Sequence, residues 1–157
     1  MTEHDIPEHW DSSDDLLDFA IEREQDAVDF YNNLANNTDS QAMVSVFAEF
    51  AAAEKGHKAR LQNIKNSGRL QSASGKIQDL KIGDYLVDIE PTPDMDYQQA
   101  LIIAMKREVS AQKLYSDLAQ TTDDPDMQKT MLALAEEEAK HKLRFETEYD
   151  EYVLKEN

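Results

Sequence analysis

The sequence predicts an all-α protein, a four-helix bundle made of two helical hairpins joined by a long crossover. Three observations lead to this fold class. Only 4 Gly and 4 Pro occur among 157 residues, the apolar residues recur at intervals of three or four, and the two halves of the chain repeat each other. Apolar residues make up 40% of the chain, which is enough for one continuous core at this length.

A shift of 84 residues, the distance from Glu24 to Glu108, aligns the first half of the chain with the second without a gap. The identical residues that this shift brings together include Ala20 and Ala104, Glu24 and Glu108, Tyr31 and Tyr115, Glu54 and Glu138, and His57 and His141. Two copies are too few for a solenoid, which needs three or more repeats. The repeat therefore favours a closed, pseudo-symmetric bundle.

The helix boundaries follow from local signals. Side chains that can cap a helix N-terminus precede each periodic segment: Ser12 or Ser13, Asp39 or Ser40, Asp96, and Asp124 followed by Pro125. Gly68 is expected to end the second helix, because glycine readily adopts the left-handed conformation found there.

Short links at residues 36–40 and 121–124 predict two antiparallel hairpins, whereas residues 67–96, which include Gly75, Gly83, Pro91 and Pro93, predict a long crossover. This order of elements is that of a ferritin-like four-helix bundle. Residues 1–11 are expected to form a flexible tail, which leaves 12–157 as the bundle domain. The sequence does not decide whether the crossover contains a short strand or a helical turn. Its apolar residues are expected to pack along the outside of the bundle: Ile77, Leu80, Ile82, Tyr85, Leu86 and Val87.

Composition excludes several classes of function. The chain has 16 Lys and Arg against 33 Asp and Glu, a formal charge of −17, which repels nucleic acid and anionic lipid and attracts cations. The absence of Cys removes disulfides, thiolate zinc sites, iron–sulfur clusters and a cysteine nucleophile. No apolar run approaches the roughly 20 residues of a membrane span, and the first residues are acidic. We expect a soluble cytoplasmic protein, in which Asp, Glu and His would hold any metal.

Each of the four apolar seams is interrupted by one glutamate. An isolated carboxylate in a core costs several kcal/mol or more, so four converging carboxylates need a cationic centre. On two of the seams a histidine follows three residues after the glutamate, on the same helix face. Two such Glu-x-x-His pairs and two further glutamates form the ligand set that bundles use for two metal ions. The predicted ligands are Glu24, Glu54, His57, Glu108, Glu138 and His141.

Other interpretations of these residues stay open. A single Glu-x-x-His is more often a solvated pair, and only its repetition on core seams favours a metal. Iron or manganese suits the donors, and zinc binds such mixtures as well. Tyr31 and Tyr115 either pack in the core with a hydroxyl partner or donate a hydrogen bond to a ligand carboxylate. His4 and His9 are expected to be inert.

Four segments resemble the rubrerythrin-like branch of the ferritin-like superfamily: AIEREQDAVDFYNNLA, FAAAEKGHKARL, AMKREVSAQKLYSDLA and LAEEEAKHKLRFE. The resemblance extends from Leu16 to Tyr152. It implies that the six predicted ligands bind two iron ions, with Tyr31 and Tyr115 nearby. It also implies an oxidoreductase that reduces hydrogen peroxide or oxygen by two electrons at a diferrous centre.

Two departures from that family affect the expected function. Peroxide-reducing rubrerythrins usually carry a further Glu one turn after the third-helix ligand, where this chain has Ala111. Many members also carry a Cys-rich rubredoxin domain, so here an external, rubredoxin-like protein would donate the electrons. Alternatives are a ferroxidase or metal-handling protein with the same site, and a metal-free helical interaction module. A homodimer is expected.

Overall fold

The computed structural model describes residues 8–87, 89, 91–92 and 95–156. The four long helices are α1 (Ser13–Asn37), α2 (Gln41–Ser67), α4 (Tyr97–Thr121) and α5 (Pro125–Glu156), and a single turn forms α3 (Ser74–Ile77). Two 3₁₀ turns, Gln71–Ala73 and Ile82–Tyr85, complete the helical elements. These residues contain no strand, only an isolated bridge between His9 and Lys81. The all-α prediction is confirmed.

The helix ends have the predicted chemical causes. The Ser12 hydroxyl accepts a hydrogen bond from the Asp15 amide, and the Ser40 hydroxyl accepts one from the Met43 amide. Asp96 forms a capping box with Gln99 at the start of α4. Of the alternatives open in the sequence, Ser12 and Ser40 are therefore the capping residues. Gly68 ends α2 at a φ of 70°, a conformation that strongly favours glycine.

The first structural unit comprises residues 10–79 and contains the α1–α2 hairpin. Its fully buried side chains include Leu16 and Leu17 of α1 and Phe47 and Leu61 of α2, which is the face that the three-to-four spacing predicts. The Lys65 ammonium lies 2.6 Å from Asp18 Oδ1 across the open end of the hairpin. Apolar burial thus holds the hairpin together, and an exposed ion pair adds little.

The second unit comprises the described residues from Leu80 onward together with residues 8–9, and it contains the α4–α5 hairpin. Leu101 and Leu118 of α4 and Met131 and Phe145 of α5 are fully buried. The rings of Tyr97 and Tyr152 meet edge to face with their centroids 5.0 Å apart. No helix among the described residues has the length and apolar composition to cross a membrane.

Part of the segment expected to be a flexible tail is packed. The Glu8 carbonyl accepts a hydrogen bond of 2.9 Å from the Ile82 amide. Trp10 is only 5% exposed, with its ring 5.5 Å from that of Phe19. Burial of this large side chain offsets the entropy lost on ordering residues 8–11. The remainder of the predicted tail, residues 1–7, lies outside the described residues.

In the crossover, Ile77, Ile82 and Tyr85 are buried as expected, while Leu80 and Val87 are half-buried. The expectation was wrong for Leu86, which is 38% exposed. At Leu86 the chain leaves the 3₁₀ turn for extended backbone, with φ −89° and ψ 145°. The helical spacing that buries Ile82 and Tyr85 therefore ends at Tyr85, and Leu86 is not placed on the buried face.

Tyr85 anchors the crossover to α4. Its hydroxyl donates a hydrogen bond of 2.6 Å to Asp117, and its carbonyl accepts one of 2.6 Å from the Ser110 hydroxyl. The Lys113 ammonium lies 5.1 Å from the ring centroid and 3.0 Å from Asp117. Burial, followed by the hydrogen bond to Asp117, raises the pKa of Tyr85 well above its usual value of 10.

This raised pKa predicts a loss of stability in alkali. The contribution of Tyr85 is fully present below about pH 10 and declines at higher pH, because the unfolded chain then loses this proton while the folded chain retains it. Tyr85→Phe should lower the free energy of unfolding by about 1.5 kcal/mol at neutral pH. The difference in the free energy of unfolding between wild type and variant, measured by urea titration, should become smaller above about pH 10. A difference that stays constant between about pH 8 and 11 would contradict the prediction.

Candidate metal centre

The first unit brings three of the predicted ligands together inside its hairpin. Glu24 lies near the middle of α1, and Glu54 and His57 lie one turn apart on the facing side of α2. All three are buried, with exposed fractions of 2%, 1% and 2%. These residues form the first triad. The His57 Nδ1 atom lies 3.4 Å from Glu54 Oε1 and 3.7 Å from Glu24 Oε2.

The second unit contains the equivalent arrangement. Glu108 of α4 and Glu138 and His141 of α5 form the second triad, and their exposed fractions are 1%, 1% and 8%. The His141 Nδ1 atom lies 3.5 Å from Glu108 Oε1 and 3.9 Å from Glu138 Oε1. The internal repeat of the sequence therefore appears as a repeated cluster of side chains, one in each unit.

The spacing of the donor atoms fits a metal ion. In each triad the ligand atoms lie within 4.8 Å of one another, and the His-to-Glu distances of 3.4–3.9 Å exceed the usual hydrogen-bond range of about 2.7–3.2 Å. Two atoms that each lie about 2.1 Å from one ion are separated by about 3.0–4.2 Å. Two carboxylates and one imidazole can thus bind a divalent cation in each unit.

The donor types limit which metals suit these triads. Carboxylate oxygens with one imidazole nitrogen favour iron(II) or manganese(II), and they also bind zinc. Buried carboxylates are costly without a cation, and each triad contains two of them. A divalent ion would neutralise each triad. The chemistry of the donor set therefore agrees with the predicted metal site.

The two predicted tyrosines are also buried, each 1% exposed. Tyr31 follows Glu24 by seven residues on α1, and Tyr115 follows Glu108 by seven on α4. The Tyr31 ring packs against those of Phe30 and Phe50, with centroid separations of 5.8 and 6.3 Å. Packing in the core is therefore observed for Tyr31, and a hydrogen bond from either tyrosine to a ligand carboxylate stays a prediction.

Sequence reasoning missed a polar contact beside the first triad. The Lys58 ammonium donates a hydrogen bond of 2.7 Å to Gln25 Oε1, linking the helices next to Glu24 and His57. The equivalent lysine of the second unit, Lys142, instead lies 3.2 Å from Glu146 on its own helix. The internal repeat could have indicated this difference between the two units, because the position of Gln25 in the first half is occupied by Val109 in the second half.

The two histidines expected to be inert are His4 and His9. His9 Nδ1 lies 3.2 Å from the Leu80 carbonyl oxygen, and His4 lies outside the described residues.

Comparison with known proteins agrees with this geometry. The family model described as Rubrerythrin matches residues 15–149. The chain belongs to the rubrerythrin family. The match includes both triads and confirms the resemblance that the four sequence segments indicate.

A solved structure shows the fold of this rubrerythrin-family chain. It is the crystal structure of a Thermotoga maritima protein described provisionally as a ferritin-like diiron-carboxylate protein. The similarity covers 94% of this chain and 99% of that one, with a TM-score of 0.75 and 20% sequence identity. The ferritin-like fold is therefore confirmed. No curated protein matches the chain significantly.

The buried charges of the triads predict an unusual stability effect in this rubrerythrin-family chain. Glu54→Gln removes one of two neighbouring buried carboxylates with little change in shape. In the presence of a chelator, we expect the variant to be more stable than wild type by about 1–2 kcal/mol, measured by thermal unfolding. The control is Glu49→Gln, an exposed position on the same helix. Equal stabilities of the two variants, or destabilisation by Glu54→Gln, would contradict the prediction.

Proposed function

We propose that this chain is a di-iron carboxylate protein in which the two triads together hold a dinuclear metal centre. The observation that carries the proposal is the presence of one buried Glu–Glu–His triad in each unit, at positions related by the internal repeat. Membership of the rubrerythrin family supports it. Four carboxylates balance the 4+ charge of two divalent ions, so the filled centre would be neutral. The proposed ligands are Glu24, Glu54, His57, Glu108, Glu138 and His141.

We further propose that the reaction is the reduction of hydrogen peroxide, with oxygen as the alternative oxidant. Two iron(II) ions supply one electron each when bound, which with two protons balances the conversion of one peroxide to two waters. The carboxylates stabilise the higher charge of the oxidised ions. Tyr31 and Tyr115 each hold a proton on a buried hydroxyl, and we assign them as proton donors near the centre.

The electrons must come from outside these residues. The 157 residues contain no Cys, so they cannot hold a rubredoxin-type iron centre. An external, rubredoxin-like protein is the proposed donor. The lack of Cys also suits a reducing compartment, and we propose the cytoplasm and a role in oxidative stress.

Ferroxidase or metal-handling activity at the same site is the second candidate. It is favoured by Ala111, which stands where peroxide-reducing rubrerythrins usually carry a further Glu. Ala111 is half-buried one turn after Glu108 on α4 and offers no ligand. A centre with six protein ligands has more room for water or oxygen than one with seven, so the identity of the oxidant must be measured.

Metal content tests whether the triads form the centre. Wild type loaded anaerobically with iron(II) should retain two ions per chain after desalting, measured by plasma emission spectroscopy. Glu138→Ala and His141→Ala should each lower retention to one ion or less, because an ion loses a ligand. The control is Glu136→Ala, an exposed position two residues before Glu138 on the same helix, which should retain both ions. A folded wild type that retains no metal would support the metal-free helical module instead.

The oxidation rate distinguishes the two candidate activities. We expect hydrogen peroxide to oxidise the diferrous protein at least about tenfold faster than oxygen at equal concentration, followed by stopped-flow absorbance in the near ultraviolet. The proposed reaction predicts two iron ions oxidised per peroxide. Faster oxidation by oxygen, with product iron released or stored, would favour the ferroxidase.

A further inference from the structure

A hydrogen bond joins the two helices of the first unit beside its triad. The Lys58 ammonium of α2 donates to Gln25 Oε1 of α1 over 2.7 Å, and the contact is partly buried. Gln25 directly follows Glu24, and Lys58 directly follows His57. The bond therefore connects the sequence neighbours of two proposed ligands that lie on different helices.

The Gln25 amide is held at both of its ends. Its oxygen accepts the hydrogen bond from Lys58, and its nitrogen donates one of 3.0 Å to Asp29 Oδ1, one turn further along α1. Each bond involves a charged group, and charge-assisted hydrogen bonds are stronger than neutral ones. The rotation of α1 against α2 at the level of the first triad is therefore restrained by side chains that are not themselves proposed ligands.

The second unit has the equivalent lysine but cannot form the equivalent bond. The internal repeat pairs Lys58 with Lys142 and Gln25 with Val109, and a valine side chain accepts no hydrogen bond. Lys142 instead lies 3.2 Å from Glu146, four residues later on its own helix. This contact restrains α5 alone and leaves the rotation of α4 against α5 unaffected.

The two histidines differ in the same sense. The His57 side chain is 3% exposed, whereas the His141 side chain is 10% exposed. Ligands that are fixed before a cation arrives lose less conformational freedom when they bind it. Side chains that orient the ligands of a metal typically change its affinity by about 10–100-fold. A restrained triad should therefore bind its ion more tightly than a less restrained triad of the same donors.

We propose that Lys58 and Gln25 are positioning residues that make the two metal positions unequal, so that the first triad fills with a divalent cation before the second. This inference rests on the proposed dinuclear centre and adds an order of filling to it. The donor types of the two triads are the same. The difference in affinity therefore arises from the residues that follow the ligands in the sequence.

Charge acts in the opposite direction, which makes the two effects separable. A lysine beside a cation site repels the cation, and Glu146 partly offsets the charge of Lys142. Charge alone would thus favour the second triad. The Lys142 and Glu146 side chains are 39% and 45% exposed, however, so solvent screens their effect. The bond between Lys58 and Gln25 restrains the ligand-bearing helices themselves, and positioning therefore outweighs charge.

Titration of the metal-free protein with cobalt(II) tests the order of filling. Cobalt(II) is a suitable probe because it binds carboxylate and imidazole donors as iron(II) does, and its visible absorption changes as each ion binds. Wild type should show two steps whose dissociation constants differ at least about tenfold. His57→Ala should remove the tighter step, and His141→Ala should remove the weaker one.

The possible failures of this titration are distinguishable. Two steps of equal affinity would overturn the order of filling and leave the dinuclear centre intact. Loss of the tighter step in His141→Ala, with the weaker one retained, would overturn it in the same way. A folded protein that binds no cobalt would contradict the proposed dinuclear centre and the order of filling together.

Substitution of the two lysines by methionine separates positioning from charge. Lys58→Met removes a positive charge and the bond to Gln25, and it should weaken the tighter step at least about fivefold, although charge alone predicts tightening. Lys142→Met is the matched control, and it should leave the weaker step unchanged or tighten it. Lys58→Arg keeps a charged donor and should hold the tighter step to within about twofold of wild type.

Gln25→Val removes the acceptor without changing any charge and gives the first unit the residue of the second. It should weaken the tighter step as Lys58→Met does, with unchanged helical circular dichroism. A tighter step that is unaffected by Gln25→Val, or that is unchanged or tightened by Lys58→Met, would overturn the proposal. Equal weakening by Lys58→Met and Lys142→Met at their own steps would overturn it as well.

Discussion

The burial of four carboxylates and two imidazoles inside the long helices is the constraint on which the rest of this structure depends. Each unit encloses two glutamates within reach of one histidine, and every one of these side chains is at least about nine-tenths buried. Such groups are costly in an apolar interior unless a cation balances them. Polar side chains therefore occupy core positions at the centre of each hairpin, and the apolar contacts on either side of the triads must supply the stability.

Much of the fold could be predicted from the sequence because its signals are local. Ser40, Asp96 and Gly68 act through their own backbone neighbours, so residue type places the helix ends to within about one residue. The Glu-x-x-His spacing acts in the same way, since three residues return a helix to one face. Repetition after 84 residues then supplies what a single motif lacks, because the same acid and imidazole positions recur on the core seams of both halves while other positions have changed.

The features that sequence reasoning missed depend on contacts between distant residues. Trp10 is packed because Phe19 presents a ring to it, and composition near the N-terminus gives no sign of that. The outward position of Leu86 depends on where the 3₁₀ turn ends. The bond between Lys58 and Gln25 needs both helices at the correct rotation. Hydrophobicity marks a residue as able to be buried, and the tertiary arrangement decides whether it is.

The two halves of the chain have the same residues at the buried triads and different residues at several exterior positions. Both triads have the same residue types, whereas Ala48 and Leu132, or Gln25 and Val109, differ completely. The proposed metal centre would account for the constancy of the triads, since each ion would need the same donors at similar distances. The exterior positions are free of that demand, and the two hairpins therefore have different outer surfaces.

A crystal structure of the iron-loaded protein with anomalous diffraction at the iron edge would test whether the two triads bind metal. We expect two anomalous peaks, one about 2.0–2.2 Å from His57 Nδ1 and the other at the same distance from His141 Nδ1. Each peak should also contact the glutamates of its triad. Peaks confined to the acidic surface, with both triads free of iron, would show that the triads do not bind metal.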